Sequence, residues 1–264
     1  MAMTFEKLRF EREGRVALIT LNRPEAQNAI DRALNAELHT VWEQFARDDG
    51  LDVAVLTGAG RAFCAGADLA DYIPQFLDGD MLAVRANVPT GLGGITRGQH
   101  RLAKPVIGAV NGWALAGGFE LALACDIRLA AEGAKFGSYE IHRGFHHGDG
   151  GIVRMVQSIG VARTMDIVLT GRDVTAAEAL SMGLVSHVVA AEMLLPTAME
   201  LAGRIASKSQ VAIRSAKETI LEVAGRTLDD ALRLEALYGY SSGDVREVKR
   251  QLEKFFAKSG MGKT

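Results

Sequence analysis

Two glutamates and a run of histidines stand where proton chemistry is possible. Glu120 follows a glycine pair in ALAGGFELALACD (114–126), and Glu140 opens EIHRGFHHGDGG (140–151). A positioned carboxylate can take or give a proton, and two flanking one water can do both. Like charges held close should also raise the pKa of one of them. The second stretch adds His142, His146, His147 and Asp149 within twelve residues. Its H-x3-H-H spacing does not follow the patterns by which helices and fingers set zinc ligands. Cys64 and Cys125 lie elsewhere, so no metal is expected. Two readings of the loop stay open. His147 could brace it by bonding Asp149 or a backbone carbonyl, or His146 or His147 could tune Glu140 or meet a polar group of a substrate. Extended backbone after Glu140 would put His142 on the same face as that acid. His39, His100 and His187 read as ordinary surface or packing residues.

Glycines govern the other candidate site. In ALAGGFE a turn becomes a helix, whose first N–H groups are unpaired and carry partial positive charge. Glycine lets another molecule approach them closely, which suits an anion or a developing oxyanion. AFCAGADL (62–69) has a similar form, ending in Asp68 as a plausible helix cap. Two such loops could aim two N–H groups at one carbonyl oxygen. Taken singly, each also reads as a plain connection: a tight turn with a capping Glu, and a strand-to-helix link.

The elements that must hold these loops alternate. VALITL (16–21), VAVLT (53–57), PVIGAV (105–110) and IRLAA (127–131) read as buried strands, and AKFGSYE (134–140) as one more. Residues 28–47 place Ile30, Leu34, Leu38, Val41, Trp42 and Phe45 at helical spacing. Strands alternating with helices predict an α/β core with mostly parallel pairing over residues 1–190. Residues 191–206, 209–223, 227–238 and 243–257 read as amphipathic helices, giving a helical region over 191–264. Between 81 and 104, Pro89, Gly91, Gly93 and Gly94 break the helix expected there, and a long loop of this kind is often a lid. The 264-residue chain is 48% hydrophobic with net charge −2. It has no basic cluster for nucleic acid and no apolar run long enough to span a membrane. Two cysteines and an N-terminus without an apolar signal core predict a cytoplasmic protein.

Four motifs in order carry a resemblance across nearly the whole chain: LNRPEAQNAI (21–30), AFCAGADL (62–69), KPVIGAVNGWALAGGFELALACDIRLA (104–130) and TGRDVTAAEALSMGLVSHVV (170–189). The chain resembles the crotonase superfamily, the enoyl-CoA hydratase/isomerase family. The resemblance implies a superhelix of strand-strand-helix turns and a helical C-terminal region that covers the site and builds trimers or hexamers. It implies an acyl-CoA thioester as substrate and no cofactor beyond the coenzyme A that the substrate carries.

By motif position the oxyanion hole would be the N–H groups of Ala67 and Gly117. Glu120 would orient and activate water, and Glu140 would exchange a proton with the substrate. Ala26, Ala65, Gly66, Asp68, Leu69, Leu115, Gly118, His147 and Gly148 are the expected substrate-binding residues. Family isomerases usually keep one of the two acids, so both together favour hydration of a 2-enoyl-CoA. Isomerisation, decarboxylation or carbon–carbon hydrolysis of a polar acyl-CoA is the alternative, ahead of a non-catalytic CoA- or RNA-binding role. Three positions depart from the pattern. Glu25 stands where the family often has Lys, leaving Arg23, or Lys254 or Lys258 from a neighbouring subunit's C-terminal helix, to meet CoA phosphate. His147 stands where Pro is usual, and Asp149 where a small residue is common.

Overall fold

The computed structural model describes residues 5–77, 85, 88–89, 91–97, 102–241, 243 and 245–259 of the chain, with side chains as far as 257. His100, the side chain of Lys258, and residues 81–84, 86–87, 90 and 98–101 of the segment read as a lid lie outside them. Two compact units are present, Met1–Gly203 and Arg204–Thr264.

Strands β1 (Leu8–Glu13) and β2 (Val16–Leu21) form an antiparallel hairpin, and β2 then runs parallel to β3 (Val53–Gly58). Between them lies helix α1 (Arg32–Arg47), which buries Leu34, Leu38, Val41, Trp42 and Phe45, the stripe expected from the spacing. The helix starts four residues later than that spacing alone suggests, because Asp31 caps it by accepting from the Leu34 N–H at 2.7 Å. Asp31→Ala is expected to cost about 1 kcal/mol of stability, read as a lower urea midpoint with an unchanged slope. Every residue of β3 is buried, as suits a parallel strand covered on both faces.

From β3 onward the chain visits two sheets in turn. Strands β3, β5 (Val106–Val110) and β7 (Ile127–Ala131) lie in a sheet of order β1-β2-β3-β5-β7-β10. Each is followed by a short partner, β4 (Ala62–Cys64), β6 (Trp113–Leu115) or β8 (Lys135–Gly137), in a second sheet of order β4-β6-β8-β9. Helices α2 (Pro74–Leu77), α3 (Gly117–Ala124) and α4 (Gly151–Thr170, broken at Gly160) follow those pairs. Strand β9 (Asp173–Thr175), helix α5 (Ala176–Met182) and strand β10 (His187–Val189) end the winding. This strand-strand-helix superhelix is the α/β fold that the motifs implied. All of α3 but its last residue is buried, so Glu120 is a carboxylate inside an otherwise apolar helix.

One expected strand is shorter than its sequence suggests. Strand β8 stops at Gly137, and residues Tyr139–Arg143 form a 3-10 turn. His142 therefore leaves the face of Glu140 and instead places Nε2 2.9 Å from the Gly171 carbonyl.

Helix α6 (Ala191–Ala206) buries Leu194, Ala198 and Ala202. The C-terminal unit carries α7 (Gln210–Val223), α8 (Leu228–Ser241) and α9 (Val245–Ser259), and none of the residues of α7 or α8 is buried. Its helices leave Leu232, Leu237, Val248, Leu252 and Phe255 exposed. Among the described residues no helix is long and apolar enough to cross a membrane.

Candidate active site

The two glycine loops meet. A Cβ added at Gly66 would lie 3.1 Å from the Gly117 nitrogen, and one added at Gly117 would lie 3.5 Å from the Ala67 nitrogen. The flanking groups are committed: Ile30 N–H donates to Gly66 O, Asp68 N–H to Ile30 O, and Ala116 N–H to Gly137 O. The N–H groups of Ala67 and Gly117 donate to none of the described residues. Ala116 holds φ 52 and ψ −126 at the head of α3, a conformation costing about 1–3 kcal/mol for a residue with a Cβ. The turn it makes directs the first N–H groups of the helix toward the neighbouring loop.

Both donors line a cavity of about 240 Å³ that Glu120 and Glu140 also line. Ala65, Leu69, Tyr72, Ile73, Phe76 and Leu92 give it an apolar wall, and Tyr139, Arg143, His146 and Asp149 a polar one. Glu120 is held by backbone: its Oε1 accepts from Asp149 N–H at 2.8 Å and from Gly151 N–H at 2.9 Å. Glu140 is also buried, at 5% exposure, yet neither of its oxygens has an aligned hydrogen-bond donor among the described residues.

His147 lies between the two acids. Its Nδ1 is 2.7 Å from Glu140 Oε1 and 3.4 Å from Glu120 Oε1, while Nε2 is 2.7 Å from Ser138 Oγ. The Nδ1–H direction does not align with either carboxylate, so these are close charge contacts more than linear hydrogen bonds. The side chain is 1% exposed. Burial alone would lower its pKa, but the two carboxylates outweigh that and push it up to about 9. The imidazolium thus adds stability in full below its ordinary value of 6.5, and that stability is lost as pH rises through about 9. A cation between the acids also offsets the repulsion expected between them.

Glu120, Glu140 and His147 put possible ligand atoms within 4.8 Å of one another. Two ligands about 2.1 Å from a tetrahedral ion stand about 3.4 Å apart. The 2.7 Å contact is shorter than that and suits a direct ion pair. Burial pushes the Cys64 thiol up to about 12, which removes it as a nucleophile near neutral pH.

Several expected contacts are not made. His147 does not bond Asp149 and does not reach the cavity, because its ring is taken up by Ser138 and the two acids. Asp149 instead accepts from Leu92 N–H at 2.9 Å and pairs with Arg97 at 3.1 Å, and burial, then Glu120, pushes its own pKa up. Ala65, Leu69 and Gly148 line the cavity, whereas Ala26, Gly66, Asp68, Leu115 and Gly118 do not. Gly66 and Gly118 act through shape, since a Cβ at Gly118 would fall 2.0 Å from Cys64 O. Asp68 accepts from the Ala70 and Asp71 N–H groups and pairs with Arg23 at 3.2 Å. Arg23 is bound further to Asp31 and the Ala29 carbonyl, so it is not free for a phosphate. Ser138 and Arg143 were not apparent as site residues, because nothing in their spacing separates them from a strand end and a surface turn. The apolar wall had a faint signal in Tyr72, Ile73 and Phe76, directly after the first glycine loop.

Comparison with known proteins places this architecture. Residues 11–261 match the enoyl-CoA hydratase/isomerase family. A Rhizobium meliloti protein named "Probable enoyl-CoA hydratase" is 41% identical over 257 residues, covering 97% of each chain. The crotonyl-CoA hydratase of Syntrophomonas wolfei is 37% identical, over 89% of this chain and 88% of its own. A crystal structure of an enoyl-CoA hydratase subunit from Geobacillus kaustophilus superposes with a TM-score of 0.86 at 34% identity, over 96% of both chains. The chain belongs to the enoyl-CoA hydratase/isomerase family, within the crotonase superfamily.

Proposed function

We propose that this protein adds water across the 2,3 double bond of an enoyl-CoA thioester. The observation that carries the reading is one cavity with two backbone N–H groups, Ala67 and Gly117, that have no acceptor among the described residues, and two buried glutamates with carboxylate oxygens within 4.8 Å of one another. The thioester oxygen, bound by those N–H groups, collects the negative charge of an enolate as water attacks Cβ. Glu120, fixed by two backbone donors, orients that water and takes its proton. Glu140, whose oxygens have no aligned hydrogen-bond donor among the described residues, delivers a proton to Cα. The relatives named as hydratases support the same chemistry.

Hydration is redox-neutral and uses no cofactor beyond the coenzyme A of the substrate. Lys254 of a neighbouring subunit, a residue exposed on α9, is a candidate for its phosphates. The exposed apolar residues of the C-terminal unit suit assembly into trimers or hexamers, and a cytoplasmic role in fatty-acid breakdown fits the reading. Mixing the purified protein with crotonyl-CoA should give a fast loss of the enoyl absorbance. No loss with crotonyl-CoA or longer and polar enoyl-CoAs would defeat the proposal. Arg143 and His146 in the cavity wall favour one second reading, another crotonase reaction on a polar acyl group. Product analysis across several acyl-CoAs separates the two.

A further inference from the structure

Hydration leaves a proton in the wrong place. Water loses one to Glu120 as the new C–O bond forms at Cβ, and Glu140 gives one to Cα. Glu120 then carries a proton and Glu140 lacks one, so a second turnover requires transfer between them. We propose that His147 closes this cycle, returning to Glu140 the proton that Glu120 takes from water. The proposal rests on the hydration reading above and adds a positioning and relay residue to it.

The geometry supplies each part. Nδ1 faces both acids, at 2.7 Å from Glu140 Oε1 and 3.4 Å from Glu120 Oε1. Nε2 faces Ser138 Oγ at 2.7 Å. With Nε2–H donating to that hydroxyl, the ring that has lost a proton carries its lone pair on Nδ1. The nitrogen that gave the proton is therefore the one that takes the next. In the resting trio the imidazolium of His147 holds the mobile proton. A small turn of the Glu140 carboxylate, 2.7 Å away, brings Oε1 into line with Nδ1–H, which passes its proton across, and Glu140 then delivers that proton to Cα. Glu120 takes a proton from water and hands it to the neutral Nδ1. One O–H bond of water breaks, one C–O and one C–H bond form, and the trio ends as it began with no other reactant.

Other charges face the trio without replacing this path. Asp149 and His146 lie on the same loop, with Asp149 turned to Leu92 and Arg97 and His146 Nδ1 2.8 Å from the His147 carbonyl. Arg154, from α4, is committed to the carbonyls of Thr96 and Asp149. Buried as it is, His147 acts on the substrate only through the two carboxylates.

The test is the pH dependence of crotonyl-CoA hydration by the wild-type protein and His147→Gln. Wild-type kcat should hold through neutral pH and fall as pH rises through about 9, where the imidazolium is lost. His147→Gln has no imidazolium to lose, so the falling limb near 9 should be absent. At pH 8 its kcat should drop about 100-fold, with KM within about threefold. A folded His147→Gln protein that keeps the limb near 9 and the wild-type kcat would overturn the proposal. Should that variant fail to fold, nitrogen-15 spectra of the wild type decide: both ring nitrogens of His147 should be protonated at pH 7.5, and a neutral ring overturns the idea. One divalent ion per purified chain, with activity lost to chelator and restored by that ion, would overturn it too. Failure of the wild type on every enoyl-CoA would instead bring down the hydration reading, and this inference with it.

Discussion

Glu120→Gln should remain folded and lose hydration, with kcat falling about 10²–10⁴-fold and KM changing little. The fold survives because the amide oxygen can still accept from Asp149 and Gly151, the two backbone donors that fix Oε1 at 2.8 and 2.9 Å. What disappears is the charge and basicity in the first turn of an otherwise apolar helix. The substitution also removes one of the two carboxylates that hold His147 protonated, so its pKa should move down from about 9 toward the ordinary value. Steady-state hydration of crotonyl-CoA reads the first effect, and nitrogen-15 spectra of His147 read the second. A kcat within tenfold of wild type would remove Glu120 from the role of base.

Gly118→Ala should damage stability and catalysis together. Its Cβ would lie 2.0 Å from Cys64 O and 2.6 Å from Cys64 C, and backbone atoms cannot swing aside as a side chain can. Either α3 or the loop after β4 must shift. Overpacking of this kind costs about 1–3 kcal/mol or more. That loop carries Ala67 and the helix carries Gly117, so the shift also spoils the paired donors, and loss of one such donor costs about 10²–10³-fold in kcat. Urea unfolding and hydration kinetics measured on the same preparation test both effects. Wild-type values in both would mean that the loops are not held in register by this contact.

The prediction at Gly118 shows how far local pattern reaches. Strand and helix periods, the glycine pairs and the order of four motifs were all readable along the chain, because each depends on residues near one another in sequence. They identified the α/β core, the helical C-terminal region, both glutamates and both glycine loops. The convergence of those loops was not readable. Ala67 and Gly117 are brought together by the winding of the chain between two sheets and by Gly66 and Gly118, whose missing side chains let backbone meet backbone.

The histidine loop marks the other boundary. His147 was visible as an oddity beside Glu140, with bracing of the loop and tuning of the acid left open. Spacing could not show that β8 ends at Gly137, that the 3-10 turn carries His142 away, or that Asp149 turns to Leu92. Nor could it show that one ring nitrogen faces both acids while the other faces Ser138. A side chain's protonation depends on distance and burial, and both are set by residues far apart in the chain. Residue types and the order of four motifs thus carried the resemblance to the family and named the chemical groups available. Only the folded structure could place a cation between the two acids, because that placement joins a helix start, a strand end and a loop that are separate in sequence.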